Sequence, residues 1–160
     1  MLRVHVAAIG KVKAGPERQL IERYGARFTD LARALGMSGV ALHELSESPA
    51  RRGEDRMAEE ATRLASTIPH GAGTIVLDER GALVDSAAFA ALLRHARDRG
   101  QSDLVFVIGG ADGLGPVLRA KADAMIGFGA MTIPHQLVRV LLYEQIYRAA
   151  TLIAGHPYHR

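Results

Sequence analysis

The hydrophobic residues of this chain follow two alternating periods. In some segments apolar residues occupy every second position or form a short continuous run, which predicts a strand; in others they recur every three or four positions, which predicts an amphipathic helix. The predicted strands are residues 2–9, 40–45, 74–79, 104–110 and, as a strand or an extended loop, 124–133. The predicted helices are residues 16–35, 49–66, 87–99, 114–124 and 134–154.

Proline, serine and glycine mark the ends of these helices. Pro16 and Pro134 begin helices and Ser86 is the predicted N-cap of a third, while the helix ends are marked by Gly36, Gly100 and Gly155. The run LVFVIGG (104–110) contains no polar residue and is predicted to be a central strand buried on both faces. This order of strand and helix indicates an α/β fold, with a largely parallel sheet and helices on both faces.

The last predicted helix is apolar around nearly its whole circumference. Its apolar residues are Leu137, Val138, Val140, Leu141, Leu142, Ile146, Ala149, Ala150, Leu152 and Ile153. A helix of this kind must be covered on two sides, and in a chain this small the sheet and a partner chain are the predicted covers. The sequence thus predicts a homodimer through this helix; the alternative is a helix buried wholly within one protomer.

Size and composition are those of one globular domain. The chain has 160 residues, of which 48% are hydrophobic and 23% charged. A chain of this length can bury a core without disulfides or metals. No apolar run reaches the roughly 18 residues of a membrane span, and the first strand leads into a charged helix rather than a signal-peptide cleavage site. We therefore expect a single domain over residues 1–160, in the cytoplasm and without a membrane partner. The absence of cysteine excludes disulfides, a thiolate nucleophile and Cys-ligated metals.

Positive charge is concentrated in two groups, in a chain whose formal net charge is +3. The first group contains Lys11, Lys13, Arg18, Arg23 and Arg27, and the second contains Arg51, Arg52 and Arg56. Such groups suit the phosphate backbone of a nucleic acid. Solvated basic helix faces explain either group about as well.

A glycine-rich turn, VIGGADGLG, follows the predicted central strand. Its spacing is G-G-x-x-G-x-G rather than the G-x-G-x-x-G of dinucleotide-binding folds, and the chain has no G-x-x-x-x-G-K-[ST] motif, which excludes a P-loop nucleotide hydrolase. The glycines allow backbone amides to approach a ligand closely. The alternative is a tight turn after which Pro116 begins a helix.

The seven histidines do not form a predicted metal site. His156 and His159 lie near the C-terminus and His135 at the other end of the last helix, without the H-E-x-x-H motif or an adjacent carboxylate. No G-x-S-x-G motif indicates a serine nucleophile. The terminal HPYHR instead combines an aromatic ring, two imidazoles and a guanidinium, which can stack on a base, accept a proton and bind phosphate.

Several segments together resemble a known family. VIGGADGLG, MTIPHQLVRVLLYEQIYRA, the terminal HPYHR and the upstream TIVLDERG are similar to the RlmH family, the large-subunit ribosomal RNA pseudouridine methyltransferases of the SPOUT superfamily. The resemblance covers essentially the full length. It implies a SPOUT-type trefoil knot in the C-terminal half, a homodimer through the last helix, and methylation of N3 of pseudouridine 1915 in 23S ribosomal RNA on the ribosome.

By that resemblance, S-adenosyl-L-methionine binds at three strand ends in the knot. The residues that match the family's cofactor loops are Leu77, Gly109, Phe128, Gly129, Ala130, Met131, Thr132 and Ile133. The sequence itself predicts glycines and free backbone amides at three strand ends of an apolar sheet, where an adenine can be enclosed without side-chain charge. The last loop, GFGAMT, has an extra glycine where the family commonly has a bulkier residue.

Methylation of N3 requires a base to remove its proton and a cation to stabilise the charge that develops on the flanking carbonyl oxygens. The candidate catalytic residues are His135, Arg139, Tyr158, His159 and Arg160. In this hypothesis Tyr158 stacks on the flipped base, His159 accepts the proton or orients the ring, and Arg160 holds phosphate. One protomer's tail is expected to reach the partner's cavity.

Other interpretations stay open at this stage. The tail alternatively packs, with Tyr158 over the dimer seam and His156 capping the last helical carbonyls, while Glu144 and Arg148 form an i,i+4 ion pair. In a second function class the protein binds the ribosome without catalysis. A nucleotide-dependent oxidoreductase is disfavoured by the glycine spacing and by the lack of an acidic residue placed for a ribose after the first strand.

Overall fold

Strands and helices alternate along the whole chain, as the sequence predicts. The computed structural model describes residues 1–160. The strands are β1 (Leu2–Ile9), β2 (Met37–Leu45), β3 (Gly73–Leu83), β4 (Asp103–Ile108) and β5 (Ala124–Gly127). The helices are α1 (Pro16–Ala32), α2 (Gly53–Thr67), α3 (Ser86–Asp98), α4 (Pro116–Lys121) and α5 (His135–Ala154), with a short 3₁₀ turn at Arg33–Leu35 after α1.

The five strands form one parallel sheet in the order β2-β1-β4-β3-β5. Strand β4 lies at its centre and all six of its residues are buried, which confirms the prediction for the apolar run. Because every strand runs in the same direction, all carboxyl ends lie at one edge of the sheet. The loops after the strands therefore come together at that edge.

Helices cover both faces of the sheet. Helices α1, α3 and α5 pack on one face around a core of 26 buried residues, while α2 and α4 cover the other face around a smaller core of eight. The thicker core therefore lies on the side of α5. None of the helices is long and apolar enough to cross a lipid bilayer.

Most of helix α5 is covered within its own chain. Residues such as Leu142 and Ile146 are fully buried against α1, α3 and the sheet. Leu137 and Leu141, one helical turn apart, are the large apolar residues of α5 that stay exposed, by 43% and 40%. The alternative of a helix buried within one protomer thus accounts for much of α5, and the apolar stripe left for a partner is short.

The starts of α2, α3 and α4 differ from the sequence predictions, and α4 begins at Pro116 rather than at residue 114. Asp85, not Ser86, is the N-cap of α3, because its Oδ1 accepts a hydrogen bond from the Ala88 amide at 2.7 Å. Ser86 is the first helical residue and its hydroxyl donates to Gln145 Oε1 at 2.8 Å. Helix α2 begins four residues later than predicted, after an extended segment that leads to its N-cap.

Strand β3 continues past its predicted end and crosses β5. Ile126 of β5 pairs with Leu77 and also with Ala82, so the segment between these two residues crosses β5 at close range. A Cβ on Gly81 would lie 2.5 Å from the carbonyl carbon of Ile126. Only glycine fits at this crossing. Such winding is compatible with the knot that the resemblance implies.

Replacement of Gly81 by alanine is therefore expected to destabilise the fold strongly. The added methyl group would overlap the Ile126 backbone, and relieving that overlap is expected to cost about 3 kcal/mol of unfolding free energy or more. The matched control is Gly115→Ala, whose Cβ would lie an ordinary 3.4 Å from Ala61 Cβ. Urea denaturation of both variants tests this, and equal stability of the two would contradict the close crossing.

Candidate functional site

A cavity of about 450 Å³ opens at the carboxyl edge of the sheet. Its walls are the segments that follow three neighbouring strands: residues 77–80 of β3, the glycine turn after β4, and the loop between β5 and α5. The volume lies within the usual range for small-molecule sites. Since the parallel topology brings these segments together, the cavity is a direct result of the sheet order.

The turn after β4 lines the cavity with backbone rather than with large side chains. A Cβ on Gly109 would lie 2.9 Å from the carbonyl carbon of Gly113, so no larger residue fits there. Gly113 has φ +86° and donates its amide to the Gly110 carbonyl at 3.0 Å, which closes the turn. The turn thus presents backbone to the cavity, as its sequence predicts.

The structure brings almost all of the predicted cofactor residues to this one cavity. The predicted residues that line it are Leu77, Gly109, Phe128, Gly129, Met131, Thr132 and Ile133. Ala130 belongs to the same loop but does not line the cavity. The extra glycine of this loop, Gly129, has φ +125°, a backbone conformation that other residues rarely adopt.

Charged side chains at the cavity were missed by the sequence analysis. Asp78 and Asp112 both line it, and both pair with arginines; the nearest to Asp78 is Arg80, which also lines the cavity and lies 3.2 Å away. Arg119 lies 3.7 Å from Asp78, while Arg56 Nε and Nη2 donate to the two oxygens of Asp112 at 2.7 and 2.9 Å. The Arg56 hydrogen bonds hold the pKa of Asp112 below its usual range. Asp78 directly follows the apolar run of β3, and this position at a strand end was the sequence signal that could have identified it.

His135 is the predicted catalytic residue that lies at the cavity. It is the first residue of α5 and is exposed. The carboxyl end of β1 lies beside its imidazole: a Cβ placed on Gly10 would be 3.6 Å from His135 Nε2. Gly10 has φ +87°, so this glycine turns the chain away and leaves space for the imidazole.

Arg139 does not line the cavity. Its side chain is fully buried, Nη1 donates to Glu44 Oε2 at 2.6 Å and to the Gly10 carbonyl at 3.0 Å, and Nη2 donates to the Ile9 carbonyl at 3.2 Å. Burial lowers the pKa of the guanidinium while Glu44 opposes that shift. These contacts give Arg139 a positioning role: it fixes α5, and with it His135, to the carboxyl ends of β1 and β2.

The C-terminal tail folds back on the far end of α5. The Tyr158 hydroxyl donates to Glu144 Oε1 at 3.0 Å, and its ring packs on Tyr147 with centroids 4.8 Å apart. Arg148 lies 4.7 Å over that ring and donates to Glu144, which confirms the predicted i,i+4 ion pair. Burial and the Glu144 hydrogen bond raise the pKa of Tyr158 to about 12.

The other tail residues lie on the surface. His159 Nδ1 is 3.3 Å from Arg148 Nη1, and Arg160 is exposed. The helix end is satisfied by the His156 backbone amide, which donates to the Thr151 carbonyl at 2.8 Å, and not by the imidazole, which accepts from the Tyr158 amide. His156 therefore does cap a helical carbonyl, through its backbone amide, because the left-handed Gly155 brings that amide into position.

The tail and the cavity of one protomer lie at opposite ends of α5. This helix has 20 residues and is therefore about 30 Å long. Tyr158 packs on Glu144, Tyr147 and Arg148 in the second half of the helix, whereas His135 and the cavity lie at its first turn. The tail residues therefore do not line the cavity of their own protomer.

The cavity holds no metal-binding arrangement of side chains. No group of three or more histidine, aspartate or glutamate side chains in the structure is placed to hold a metal ion.

Comparison with known proteins places the chain among methyltransferases. A family model described as "Predicted SPOUT methyltransferase" matches residues 2–159. A protein named ribosomal RNA large subunit methyltransferase H from Rhodopseudomonas palustris (strain HaA2) is 59% identical over 99% of both chains. Its namesake from Bradyrhizobium sp. (strain ORS 278) is 57% identical over 99% of this chain and 98% of its own.

A solved structure shows a weaker likeness. The SpoU methyltransferase AviRb from Streptomyces viridochromogenes, in complex with AdoMet, is 17% identical over 92% of this chain and 59% of its own, with a TM-score of 0.39. We draw no inference from a likeness at this level.

The positioning role of Arg139 predicts a large loss of stability on its removal. Arg139→Leu leaves Glu44 without its buried partner, so the free energy of unfolding is expected to fall by about 3 kcal/mol. Arg18, the half-exposed second partner of Glu44, supplies the control, and Arg18→Leu should cost less. Urea denaturation of both variants measures the difference; unchanged stability of Arg139→Leu would show that the guanidinium is not structural.

Proposed function

The chain belongs to the ribosomal RNA large subunit methyltransferase H family of SPOUT methyltransferases, and from this premise we propose that it methylates N3 of pseudouridine 1915 in 23S ribosomal RNA, with S-adenosyl-L-methionine as methyl donor. The observation that carries the proposal is the cavity at the carboxyl edge of the sheet, to which the glycine turn and the loop before α5 contribute backbone. Residues 1–160 act as one methyltransferase domain, in the cytoplasm, where ribosomes are found.

The cavity has the size and chemistry to hold S-adenosyl-L-methionine. Leu77, Ile108 and Ile133 give it apolar walls for an adenine, and the glycine turn offers backbone groups for hydrogen bonds. The carboxylates of Asp78 and Asp112 suit a ligand that carries a sulfonium and an ammonium group. When bound, the cofactor supplies an electrophilic methyl group.

The chain's own residues must prepare the nucleophile. In the transfer, a bond forms between N3 and the methyl carbon, the sulfur–carbon bond breaks, and the N3 proton passes to a base. His135 lies at the cavity and is the base or ring-orienting group that one protomer supplies for its own site. Arg139 acts through His135, since it holds the helix on which that histidine lies.

The tail supplies the remaining groups from a partner protomer. An antiparallel pairing of two α5 helices brings the C-terminal end of one beside the N-terminal end of the other. The exposed Leu137 and Leu141, next to the cavity, provide the apolar contact for such a homodimer. In this arrangement Tyr158 stacks on the flipped base, His159 accepts the N3 proton or orients the ring, and Arg160 binds phosphate.

Two exposed lysines extend the site toward the RNA backbone. Lys11 and Lys13 lie in the loop after β1, at the same edge as the cavity, and neither forms an ion pair. Arg51 and Arg52 are exposed just before α2, at the same edge. Arg18 and Arg56 are engaged with Glu44 and Asp112, so part of each basic group is structural and part is free for phosphate.

Binding and transfer assays test the proposal. Calorimetric titration with S-adenosyl-L-methionine is expected to give micromolar affinity, and NADH is expected not to bind. Tyr158→Ala and His159→Ala should each lower labelled-methyl transfer to ribosomes at least about 100-fold and leave cofactor affinity intact. The control is His156→Ala, which removes an imidazole that only accepts from the Tyr158 amide. Ribosome binding without cofactor binding, also in the presence of ribosomes, would favour the noncatalytic alternative.

Subunit mixing tests whether the tail acts across the dimer. A protein with Tyr158→Ala is mixed with one whose cavity is blocked by Gly109→Leu, each inactive by itself. Heterodimers contain one site with both an intact cavity and an intact tail, so activity should reappear on mixing. Lack of recovery in verified heterodimers, or full activity in a monomer, would contradict action in trans.

The free lysines predict a salt-dependent loss of RNA affinity. Lys11→Ala and Lys13→Ala are each expected to weaken RNA binding and to reduce the slope of log affinity against log salt by about 0.7 to 0.9. Arg99, which is exposed after α3 at the opposite edge of the sheet, is the control. Filter binding at several salt concentrations measures the slopes, and equal slopes for all three variants would exclude this path of the RNA.

A further inference from the structure

Glu60 is a buried carboxyl group without a hydrogen-bond partner. It lies on α2, is 5% exposed, and its Oε2 atom is fully buried and unpaired. The group is in direct contact with the glycine turn of the cavity, since a Cβ on Gly110 would lie 2.7 Å from that oxygen. An acidic group is therefore packed behind the backbone that lines the site.

Helix α2 supports the glycine turn along one face. Arg56, one helical turn before Glu60, binds both oxygens of Asp112. Ala61 lies 3.4 Å from the position of a Cβ on Gly115. The turn is thus fixed on both sides of Gly110, and its shape depends on what α2 presents there.

The charged groups around Glu60 give it little compensation. Burial raises its pKa, and the nearby carboxylates of Asp112 and Glu47 raise it further, while Arg63 and Arg56 oppose the shift. Arg56 is already engaged with Asp112 and with the carbonyls of Ala50 and Arg51, and Arg63 donates to the Ser46 carbonyl. An ionised carboxylate without a donor is costly inside a protein, so this arrangement of the turn favours the protonated acid.

We propose that Glu60 is a positioning residue that couples protonation to cofactor binding: its neutral carboxyl group permits the turn arrangement that forms the cavity, and its ionised form favours another arrangement in which it gains a donor. The proposal rests on the proposed function, because the ligand is S-adenosyl-L-methionine. Cofactor binding should then take up a proton, and affinity should fall as the pH rises past the raised pKa of Glu60.

Calorimetry between about pH 5 and about pH 9 tests this coupling. Wild-type affinity for S-adenosyl-L-methionine should fall at least about fivefold more over that range than the affinity of Glu60→Gln, which keeps the shape but cannot ionise. Titration of the ligand's own groups is common to both proteins and cancels in the comparison. Glu54→Gln, an exposed position on the same helix, should behave like the wild type.

The outcomes separate this inference from the proposed function. Binding with the same pH profile in wild type and Glu60→Gln would overturn the inference alone. Failure of both proteins to bind the cofactor at any pH would overturn the proposed function as well. Titrations of the wild type in buffers of different ionisation enthalpy count the protons taken up on cofactor binding, so this test does not depend on the folding of a variant. Proton uptake no greater than that of the ligand's own titrating groups would also overturn the inference.

A second pair of variants tests the contact itself. Gly110→Ala adds a methyl group against Glu60 Oε2 and should weaken cofactor binding at least about tenfold. Glu60→Ala in the same chain makes room and should restore part of the affinity, although Ile9 lies 3.1 Å from the new methyl and limits the recovery. Additive effects of the two substitutions would show that the two residues are not coupled.

Discussion

The buried guanidinium of Arg139 joins the parts of this protein that form its site. It binds the carbonyl groups at the end of β1 and the Glu44 carboxylate of β2, and it lies on the helix that begins with His135. Burial raises the pKa of Glu44, but the Val12 amide, Arg18 and Arg139 outweigh this and hold it below its usual range. Removing Glu44 would leave the buried guanidinium of Arg139 without its carboxylate, whereas removing Arg139 would leave Glu44 with Arg18 and the Val12 amide but without its fully buried partner.

The cavity depends on backbone more than on side chains. Parallel strands end at one edge, and the segments after β3, β4 and β5 meet there. Gly109 and Gly113 let the turn after β4 close on itself, and Gly81 lets the end of β3 cross the Ile126 backbone of β5 more closely than any side chain allows. Two carboxylates lie at the turn after β4 in different environments: Asp112, a residue of the turn, is held ionised by Arg56, while Glu60 of α2 is buried behind Gly110 without a donor. The same turn thus combines a fixed charge with a titratable one.

Helix α5 connects the two halves of the proposed chemistry. Its first residue borders the cavity and its second half holds Tyr158 through Glu144, Tyr147 and Arg148, so about half of the helix lies between the two within one chain. Tyr158 is fixed by Glu144, Arg148 and Tyr147, which gives the tail a defined place on its own protomer. A tail held in this manner is a rigid group that a partner can present, rather than a flexible arm.

The sequence by itself determined the succession of elements, the central position of β4, and the loops that line the cavity. Apolar periodicity reports burial directly, and glycine and proline mark turns whose geometry only they adopt easily. The glycine turn, the last helix and the terminal HPYHR also supported the resemblance to the RlmH family. The predicted cofactor residues lie together, except that Ala130 does not line the cavity.

The tertiary structure alone decided which polar residues share an environment. In the sequence, Arg139 is a polar residue that interrupts the apolar pattern of α5, and only the packing of the chain shows that it is fully buried among carbonyl groups. Glu60 looks like one of many charged residues on a surface helix, yet the glycine turn of a distant segment covers it. Burial of this kind depends on contacts between residues far apart in the chain, and no local pattern records them. Local periodicity therefore determined the elements, while long-range packing determined the electrostatics of the site.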